Sequence, residues 1–157
     1  FHDRPMVDLG RYRRLFKPRH QKMIDLLKSK SGARVLYHCC GAVKSLIPEF
    51  IDIGVDALNP VQVSSAGMDD TAALKAEFGD RICFWGGIDT QRILPLGTPE
   101  EVRADVRRRI ADLAPGGGFV VAPVHNIQED VPPENIVAMA DAAWEMAGMV
   151  STAREKG

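Results

Sequence analysis

The sequence lacks the features that mark several special classes of protein. It has no apolar stretch near the roughly 20 residues of a membrane-spanning helix, and no basic segment followed by an apolar one opens the chain. Acidic or basic charge is not in excess either, since 20 Lys and Arg residues stand against 21 Asp and Glu residues. We therefore expect no membrane association and a cytoplasmic location.

Charge and composition also argue against nucleic-acid binding. The one dense basic run, 107–109, falls within a helical pattern, where solvent exposure is the simpler interpretation. The formal net charge is -1, and hydrophobic residues make up 45% of the chain. These values predict one globular domain over residues 1–157.

Cysteine is scarce and odd in number. The 3 cysteines are Cys39, Cys40 and Cys83, and the adjacent pair could form a disulfide only with unusual strain. The sequence therefore predicts reduced thiols. Cys83 lies within an apolar run and is expected to be inert.

Apolar residues alternate between strand-like and helix-like patterns. Short apolar runs predict strands over 34–40, 55–59, 82–85 and 119–122. Helical spacing predicts helices over 12–30 and 46–53, a helix that ends at Phe78, and two that begin at Pro99 and Pro133. Four consecutive strand-helix units predict parallel strands and an α/β fold. Periodicity does not distinguish an open sheet from half of a (β/α)8 barrel.

Several residues predict where helices begin, bend and face the core. Pro18 is expected to break or kink the first helix. Asp69 or Asp70 is expected to cap the third helix. Thr98 and Glu101 form a capping box for the fourth. The residues predicted to face the core are Met23, Ile24, Leu26 and Leu27, then Val102, Val106, Ile110 and Leu113, and in the last helix Ile136, Ala140, Ala143 and Trp144.

The tripeptide His38-Cys39-Cys40, followed by Gly41, ends the first predicted strand. Because successive side chains of a strand point to opposite faces, His38 and Cys40 share one face, and Cys39 is assigned to packing on the other. An imidazole and a thiolate could supply two of the three protein ligands of a catalytic zinc. The alternative is that both cysteines are small buried residues and His38 is a hydrogen-bonded core histidine.

Polar residues follow every predicted strand. The carboxyl ends of parallel strands are where barrels and open α/β sheets both place their active sites. These residues are His38 and Cys40, Asn59 and Gln62, Asp89 and Gln91, and His125 and Asn126.

Four ordered motifs at these strand ends resemble the uroporphyrinogen decarboxylase superfamily. They are His-Cys-Cys-Gly at 38–41, Leu-Asn-Pro-Val-Gln at 58–62, Gly-Gly-Ile-Asp-Thr-Gln at 86–91, and Ala-Pro-Val-His-Asn-Ile-Gln at 122–128 with Pro-Pro-Glu-Asn at 132–135. The resemblance implies the family's eight-stranded (β/α)8 TIM barrel, of which this chain matches the carboxyl-terminal half. A half barrel has unpaired strand edges, so we expect a homodimer or a need for the missing amino-terminal half.

The resemblance leaves two activities open. In the cobamide-dependent methyltransferase branch a His-x-Cys-Gly motif and a later cysteine bind zinc, which activates a thiol. His38 and Cys40 match that motif, and His125 stands where that branch has its cysteine and the decarboxylase branch has a histidine. Since imidazole is an accepted zinc ligand, we expect a zinc site of His38, Cys40 and His125 that activates a thiol or water. The methyl group would be exchanged with a corrinoid on a partner protein.

The alternative activity is a metal-independent decarboxylation of tetrapyrrole acetate side chains. His125 and Asp89 are the candidate catalytic residues, and Asp89 could instead orient a ligand histidine or cap a loop. The residues expected to bind a small-molecule substrate are Asn59, Gln62, Gln91 and Asn126. A third possibility is a non-catalytic half-barrel fragment.

The sequence predicts no functional role for the two remaining histidines or the two tryptophans. His2 and His20 lie outside the strand-end set and are expected at the surface. Trp85 and Trp144 are expected to pack in the core or between elements.

Overall fold

Four parallel strands form one sheet in chain order, β1-β2-β3-β4. The computed structural model describes the backbone of residues 1–154 and the side chains of residues 1–148. The strands are β1 (Leu36–His38), β2 (Ala57–Asn59), β3 (Cys83–Trp85) and β4 (Phe119–Val120). Helices connect each strand to the next, so the predicted α/β fold of four strand-helix units is confirmed.

Each strand lies within its predicted run but is shorter. The first strand begins late because the Val35 N–H donates to the Asp56 carboxylate at 2.7 Å and not to a neighbouring strand. It ends early because the chain turns at Gly41, where φ is +100°. The predicted strand over 34–40 was therefore too long at both ends. Before β1 the backbone bonds to a side chain, and after β1 the chain begins a turn.

Seven α-helical segments pack against the sheet or each other within the described residues. They are α1 (Leu9–Arg11), α2 (Lys17–Lys30), α3 (Ile47–Asp52), α4 (Thr71–Phe78), α5 (Ile93–Leu96), α6 (Pro99–Leu113) and α7 (Pro133–Arg154). Of the two candidate caps for α4, Asp70 is the cap, since its carboxylate accepts the Ala73 N–H at 2.9 Å. The capping box of Thr98 and Glu101 is confirmed. No helix in the described part of the chain is long and apolar enough to cross a membrane.

Pro18 changes the pitch of the first helical region, as predicted. A π-helical turn over Tyr12–Phe16 joins α1 to α2, and the Lys17 N–H donates to the Tyr12 carbonyl five residues earlier. Proline has no N–H, and its ring collides with the carbonyl four residues before it in a regular α-helix. The wider π turn accommodates both constraints.

The buried face of α2 differs from the predicted one. Ile24 is buried, but Met23, Leu26 and Leu27 are 54%, 59% and 52% exposed. The residues of α2 that meet the rest of the chain are mostly polar: Lys17 pairs with Glu49, and Lys28 pairs with Asp56. The predicted apolar stripe was therefore wrong for Met23, Leu26 and Leu27, because the side of α2 that meets the chain carries Ile24 and the two ion-paired lysines.

Helices cover one face of the sheet and leave the other open. Leu58 and Phe84, at the centres of β2 and β3, are fully buried on the helical side. On the opposite face Leu36 and Trp85 are 49% and 36% exposed. A sheet with one covered face and one open face is consistent with half of a barrel.

The last helix packs through a stripe that only partly matches the predicted one: Ile136 and Ala143 pack against the hydrophobic core, as predicted. Ala138 and Ala142 are buried, whereas Ala140 is exposed and Trp144 is 83% exposed. Asn135 fixes the rotation of α7, because its side-chain amide donates to the carbonyls of Leu94 and Gly97, both at 2.8 Å. The predictions that Ala140 and Trp144 face the core are therefore wrong, and Trp85 is likewise partly exposed.

Candidate functional site

His38 and Cys40 form a contact pair at the carboxyl end of β1. His38 Nε2 lies 3.2 Å from Cys40 Sγ, and both residues are exposed. Cys39 is half-buried and packs against the hydrophobic core, as predicted from strand alternation. Partial removal from water raises the pKa of the Cys40 thiol, so the proton stays on the sulfur and the S–H can point toward His38 Nε2.

Asn59 determines which nitrogen of His38 carries a lone pair. The two residues are register partners on β1 and β2, and Asn59 Oδ1 lies 2.6 Å from His38 Nδ1. Because a carbonyl oxygen can only accept, Nδ1 holds the proton and Nε2 presents its lone pair toward Cys40. Asn59 was predicted to bind substrate, and the structure places its side chain on the histidine.

Gln62 anchors the turn that follows Cys40. Its Oε1 accepts the Gly41 N–H at 2.7 Å, and the side chain is buried. Glycine is required at position 41 for two reasons. Its φ is positive, and a Cβ there would come within 2.7 Å of the Phe1 carbonyl oxygen. The hydrogen bond fixes the backbone on which Cys40 stands.

A cavity of about 220 Å³ opens beside Cys40. Five of the predicted residues line it, and they come from loops after all four strands. The lining residues are Cys40, Gln62, Thr90, Gln91, Val124, His125, Asn126 and Gln128. The structure thus brings together most of the residues that sequence reasoning placed at strand ends, while Asn59, Asp89 and His38 are not in the cavity wall.

Asp89 caps a loop. It is 6% exposed, and its Oδ1 accepts the Gln91 N–H at 2.8 Å. Its backbone carbonyl also accepts the Leu94 N–H at 3.0 Å. Asp89 therefore caps this loop, as one of its predicted roles required, and its catalytic role stays a prediction.

The three predicted zinc ligands do not form one cluster. Among residues 1–148 there is no group of three or more His, Cys, Asp or Glu side chains placed to hold a metal ion. Cys40 follows β1 and His125 follows β4, at opposite edges of the sheet, although both side chains line the same cavity. By donor type and tautomer, His38 and Cys40 fit two positions of a zinc site. His125 contributes to the same cavity without joining the pair.

His2 is exposed, as predicted, and it also contacts residues of this region. Its backbone carbonyl accepts the Ala66 N–H at 2.7 Å. Its ring lies 3.3 Å from Ser65 Oγ and 3.4 Å from Gln91 Nε2. These contacts span 63 and 89 positions of sequence, and no local pattern could have indicated them.

His20 was also predicted at the surface, and it is half-buried. Its Nδ1 lies 3.1 Å from the Tyr12 hydroxyl and 3.4 Å from the Tyr37 hydroxyl. Burial lowers the pKa of His20. Because Tyr37 and His38 alternate on β1, this group lies on the opposite face of the strand from the His38–Cys40 pair.

The family model described as uroporphyrinogen decarboxylase (URO-D) matches residues 5–146. The chain belongs to the uroporphyrinogen decarboxylase family. The family resemblance of the strand-end motifs is therefore confirmed.

Curated relatives of this family match part of the chain. A uroporphyrinogen decarboxylase from Psychromonas ingrahamii is 35% identical over 99 residues, covering 61% of this chain and 25% of the relative. One from Herminiimonas arsenicoxydans is 30% identical over 105 residues, covering 63% and 26%. The matched segment spans about a quarter of the length of these relatives.

A solved structure shares the fold over a longer stretch. The methyltransferase from Methanosarcina mazei superposes with a TM-score of 0.73 at 22% identity, covering 90% of this chain and 38% of the other. At this identity the likeness establishes the fold alone. It agrees with the predicted half-barrel arrangement of four strand-helix units.

Proposed function

We propose that this chain carries the thiol-activating centre of a zinc-dependent methyltransferase of the uroporphyrinogen decarboxylase superfamily. The observation that carries the proposal is the 3.2 Å contact between His38 Nε2 and Cys40 Sγ, with His38 Nδ1 held by Asn59. An imidazole nitrogen with a lone pair and an adjacent thiol are zinc ligands by type, and a hydrogen-bonded second ring nitrogen is usual for a ligand histidine. The shared fold with a methyltransferase is in line with this proposal.

Each residue of the centre has a separate task in this proposal. His38 and Cys40 would hold the zinc, and His125, which lines the cavity beside Cys40, is the candidate third ligand. Zinc bound there would lower the pKa of a thiol or water and so favour the nucleophilic anion. Asn59 orients the imidazole, and Gln62 holds the backbone after Cys40.

Zinc content tests the metal part of the proposal. We expect about one zinc per chain in the parent protein by elemental analysis, and a loss of zinc in Cys40→Ser. Cys83→Ser is the matched control, because Cys83 is half-buried in β3 and lines a separate cavity with Gly79 and Arg81. Its zinc content should equal that of the parent. A parent protein without zinc, after reconstitution under reducing conditions, would remove the support for a metal centre.

Methyl transfer tests the reaction itself. We propose that a thiol accepts the methyl group from a methylcorrinoid carried by a partner protein, so that the thiol loses its proton and becomes a methyl thioether. The measurement is the change in the visible spectrum of methylcobalamin when zinc-loaded protein and a simple thiol are added. No turnover with any methylcorrinoid and simple thiols would count against this reaction even if zinc is bound.

The second candidate function is a metal-independent decarboxylation of tetrapyrrole acetate side chains. It is favoured by the names of the curated relatives and by the absence of a three-residue metal cluster among the described side chains. Release of CO2 from uroporphyrinogen by metal-free protein would establish this function. If the protein neither binds zinc nor decarboxylates uroporphyrinogen, the non-catalytic half-barrel fragment is the candidate that remains.

A further inference from the structure

Another cavity, of about 350 Å³, is lined by residues of the first 20 positions, of β1 and of α3, and we call it the aromatic cavity. Its floor is buried, with no member more than 7% exposed. The floor residues are Tyr12, Val43, Leu46 and Phe50. Apolar cavities of about 150 Å³ take up benzene, and ligand sites usually begin near 300 Å³. The aromatic cavity therefore has room for a ligand of one or two rings.

Aromatic side chains form much of its wall. The Tyr37 and Phe50 rings have centroids 4.8 Å apart, and Tyr12 meets Phe50 edge to face at 5.8 Å. The His20 ring lies 5.6 Å from the Tyr37 ring. Aromatic rings attract each other in these tilted and edge-to-face arrangements. A planar aromatic ligand would extend the same packing into the cavity.

The polar groups of this wall leave a hydroxyl proton without a protein acceptor. The Tyr12 and Tyr37 hydroxyls both approach His20 Nδ1, at 3.1 Å and 3.4 Å, and neither has another hydrogen-bond partner among the described residues. Burial lowers the pKa of His20 and raises that of Tyr37, so both rings are uncharged at neutral pH. A neutral imidazole nitrogen has one lone pair or one proton, so it accepts from one hydroxyl at most. Because the Tyr12 contact is shorter, the Tyr37 proton is the one left for a ligand.

We infer that the aromatic cavity binds a small aromatic molecule whose carbonyl or ether oxygen accepts a hydrogen bond from the Tyr37 hydroxyl. A neutral oxygen suits the largely apolar wall, because a charged group loses more on leaving water. Binding here is independent of the proposed zinc centre, since Tyr37 and His38 lie on opposite faces of β1. Cys40 also borders the cavity, so the titrations below contain EDTA to keep zinc off the protein.

Acetophenone and ethylbenzene test this inference, because they have nearly the same shape and only acetophenone has a carbonyl. Binding to the full chain is followed by methyl NMR. The Val43 and Leu46 methyl groups report the aromatic cavity, and those of Val102 and Val106, in the other hydrophobic cluster, are the internal control. We expect saturable shifts confined to the first pair, with a Kd for acetophenone below about 1 mM. No saturable shift at Val43 and Leu46, or equal shifts at all four residues, would overturn the inference.

Tyr37→Phe removes the hydroxyl and keeps the ring. We expect this variant to bind acetophenone about 5–10-fold more weakly and ethylbenzene within about twofold of the parent, as the loss of one hydrogen bond requires. Tyr12→Phe serves if Tyr37→Phe does not fold, because it leaves His20 Nδ1 to the Tyr37 hydroxyl and so withdraws the same proton from the ligand. Thr90→Val is the matched control, since it removes a hydroxyl from the cavity beside Cys40 and should change neither affinity. An unchanged acetophenone affinity in folded Tyr37→Phe, or a selective loss in Thr90→Val, would overturn the inference.

Discussion

At the scale of single residues, the chemistry of the candidate site depends on a hydrogen bond that Asn59 makes. His38 alone could present either ring nitrogen to Cys40, and the choice decides whether it meets the thiol with a lone pair or with a proton. Asn59 Oδ1, 2.6 Å from Nδ1, selects the lone pair at Nε2. Asn59 therefore acts through His38 and is a positioning residue.

Removing the Asn59 amide should weaken zinc binding by about 10–100-fold, the usual effect of losing a partner of a ligand histidine. The variant is Asn59→Leu, and zinc affinity is measured by competition with a chelating dye. Asn126→Leu is the control, because Asn126 lines the cavity but does not contact His38. Equal affinities of the two variants would contradict the positioning role.

At the scale of elements, a buried carboxylate attaches the first helical region to α3. Glu49 is 5% exposed, and its two oxygens meet Arg13 Nε at 2.8 Å and Lys17 Nζ at 2.6 Å. Arg13 lies in the π turn and Lys17 begins α2, so one side chain on α3 holds both segments. These bonds, with Arg13 the larger contributor, lower the pKa of Glu49 from its ordinary value of 4.5.

Glu49→Gln should lower the free energy of unfolding by about 1–2 kcal/mol at pH 7, because Arg13 and Lys17 remain partly hydrated when they lose their partner. A carboxyl whose pKa is lower in the folded chain stabilises it fully above pH 4.5, and this contribution disappears as the pH falls through the folded-state pKa. Urea unfolding at pH 7 and pH 3 should therefore show a difference between parent and variant that shrinks in acid.

Asp52→Asn provides the control for this prediction. Asp52 also contacts Lys17 at 2.6 Å, but its side chain is 71% exposed. An exposed pair contributes little, so we expect a loss of about 0.5 kcal/mol or less. Losses of equal size in the two variants, or a Glu49 effect independent of pH, would contradict the anchoring role of Glu49.

The same elements explain which parts of the structure could be predicted from the sequence. Local signals were sufficient for the strands, the Thr98 capping box and the pitch change at Pro18, because neighbouring residues determine each of them. The buried faces of α2 and α7 were predicted only in part, since Glu49 and the carbonyls that bind Asn135 lie far away in sequence. The site divides in the same way. Strand alternation paired His38 with Cys40, whereas the position of His125 depends on the distance across the whole sheet.

At the scale of the whole molecule, Phe119 joins two hydrophobic clusters. One cluster lies between the sheet and α2–α4, and the other lies among α5, α6 and α7. Phe119, at the start of β4, is half-buried and packs against both. Its ring is thus a direct apolar link through which the two parts can unfold together.

Phe119→Ala should lower the free energy of unfolding by about 2 kcal/mol and separate the stabilities of the two clusters. Hydrogen exchange measures this, because α3 amides report the first cluster and α7 amides the second. In the parent both sets should exchange with one opening free energy, and in the variant α7 should lose more protection than α3. Phe78→Ala, which removes a ring from the first cluster alone, should not reduce protection selectively in α7. Equal losses in Phe119→Ala would show that the ring does not couple the clusters.

Exposed loop residues line the cavity beside Cys40, and they are not the residues that stabilise the fold. Cys40, Gln91, His125 and Asn126 are exposed and belong to neither hydrophobic cluster. Substitutions at these positions should change ligand choice with little change in the amount of folded protein, since exposed sites away from packing usually alter stability by about 0.5 kcal/mol or less. Gln62, buried beneath them, is the exception. New specificities can therefore arise on this scaffold through loop residues, without compensating changes in the core.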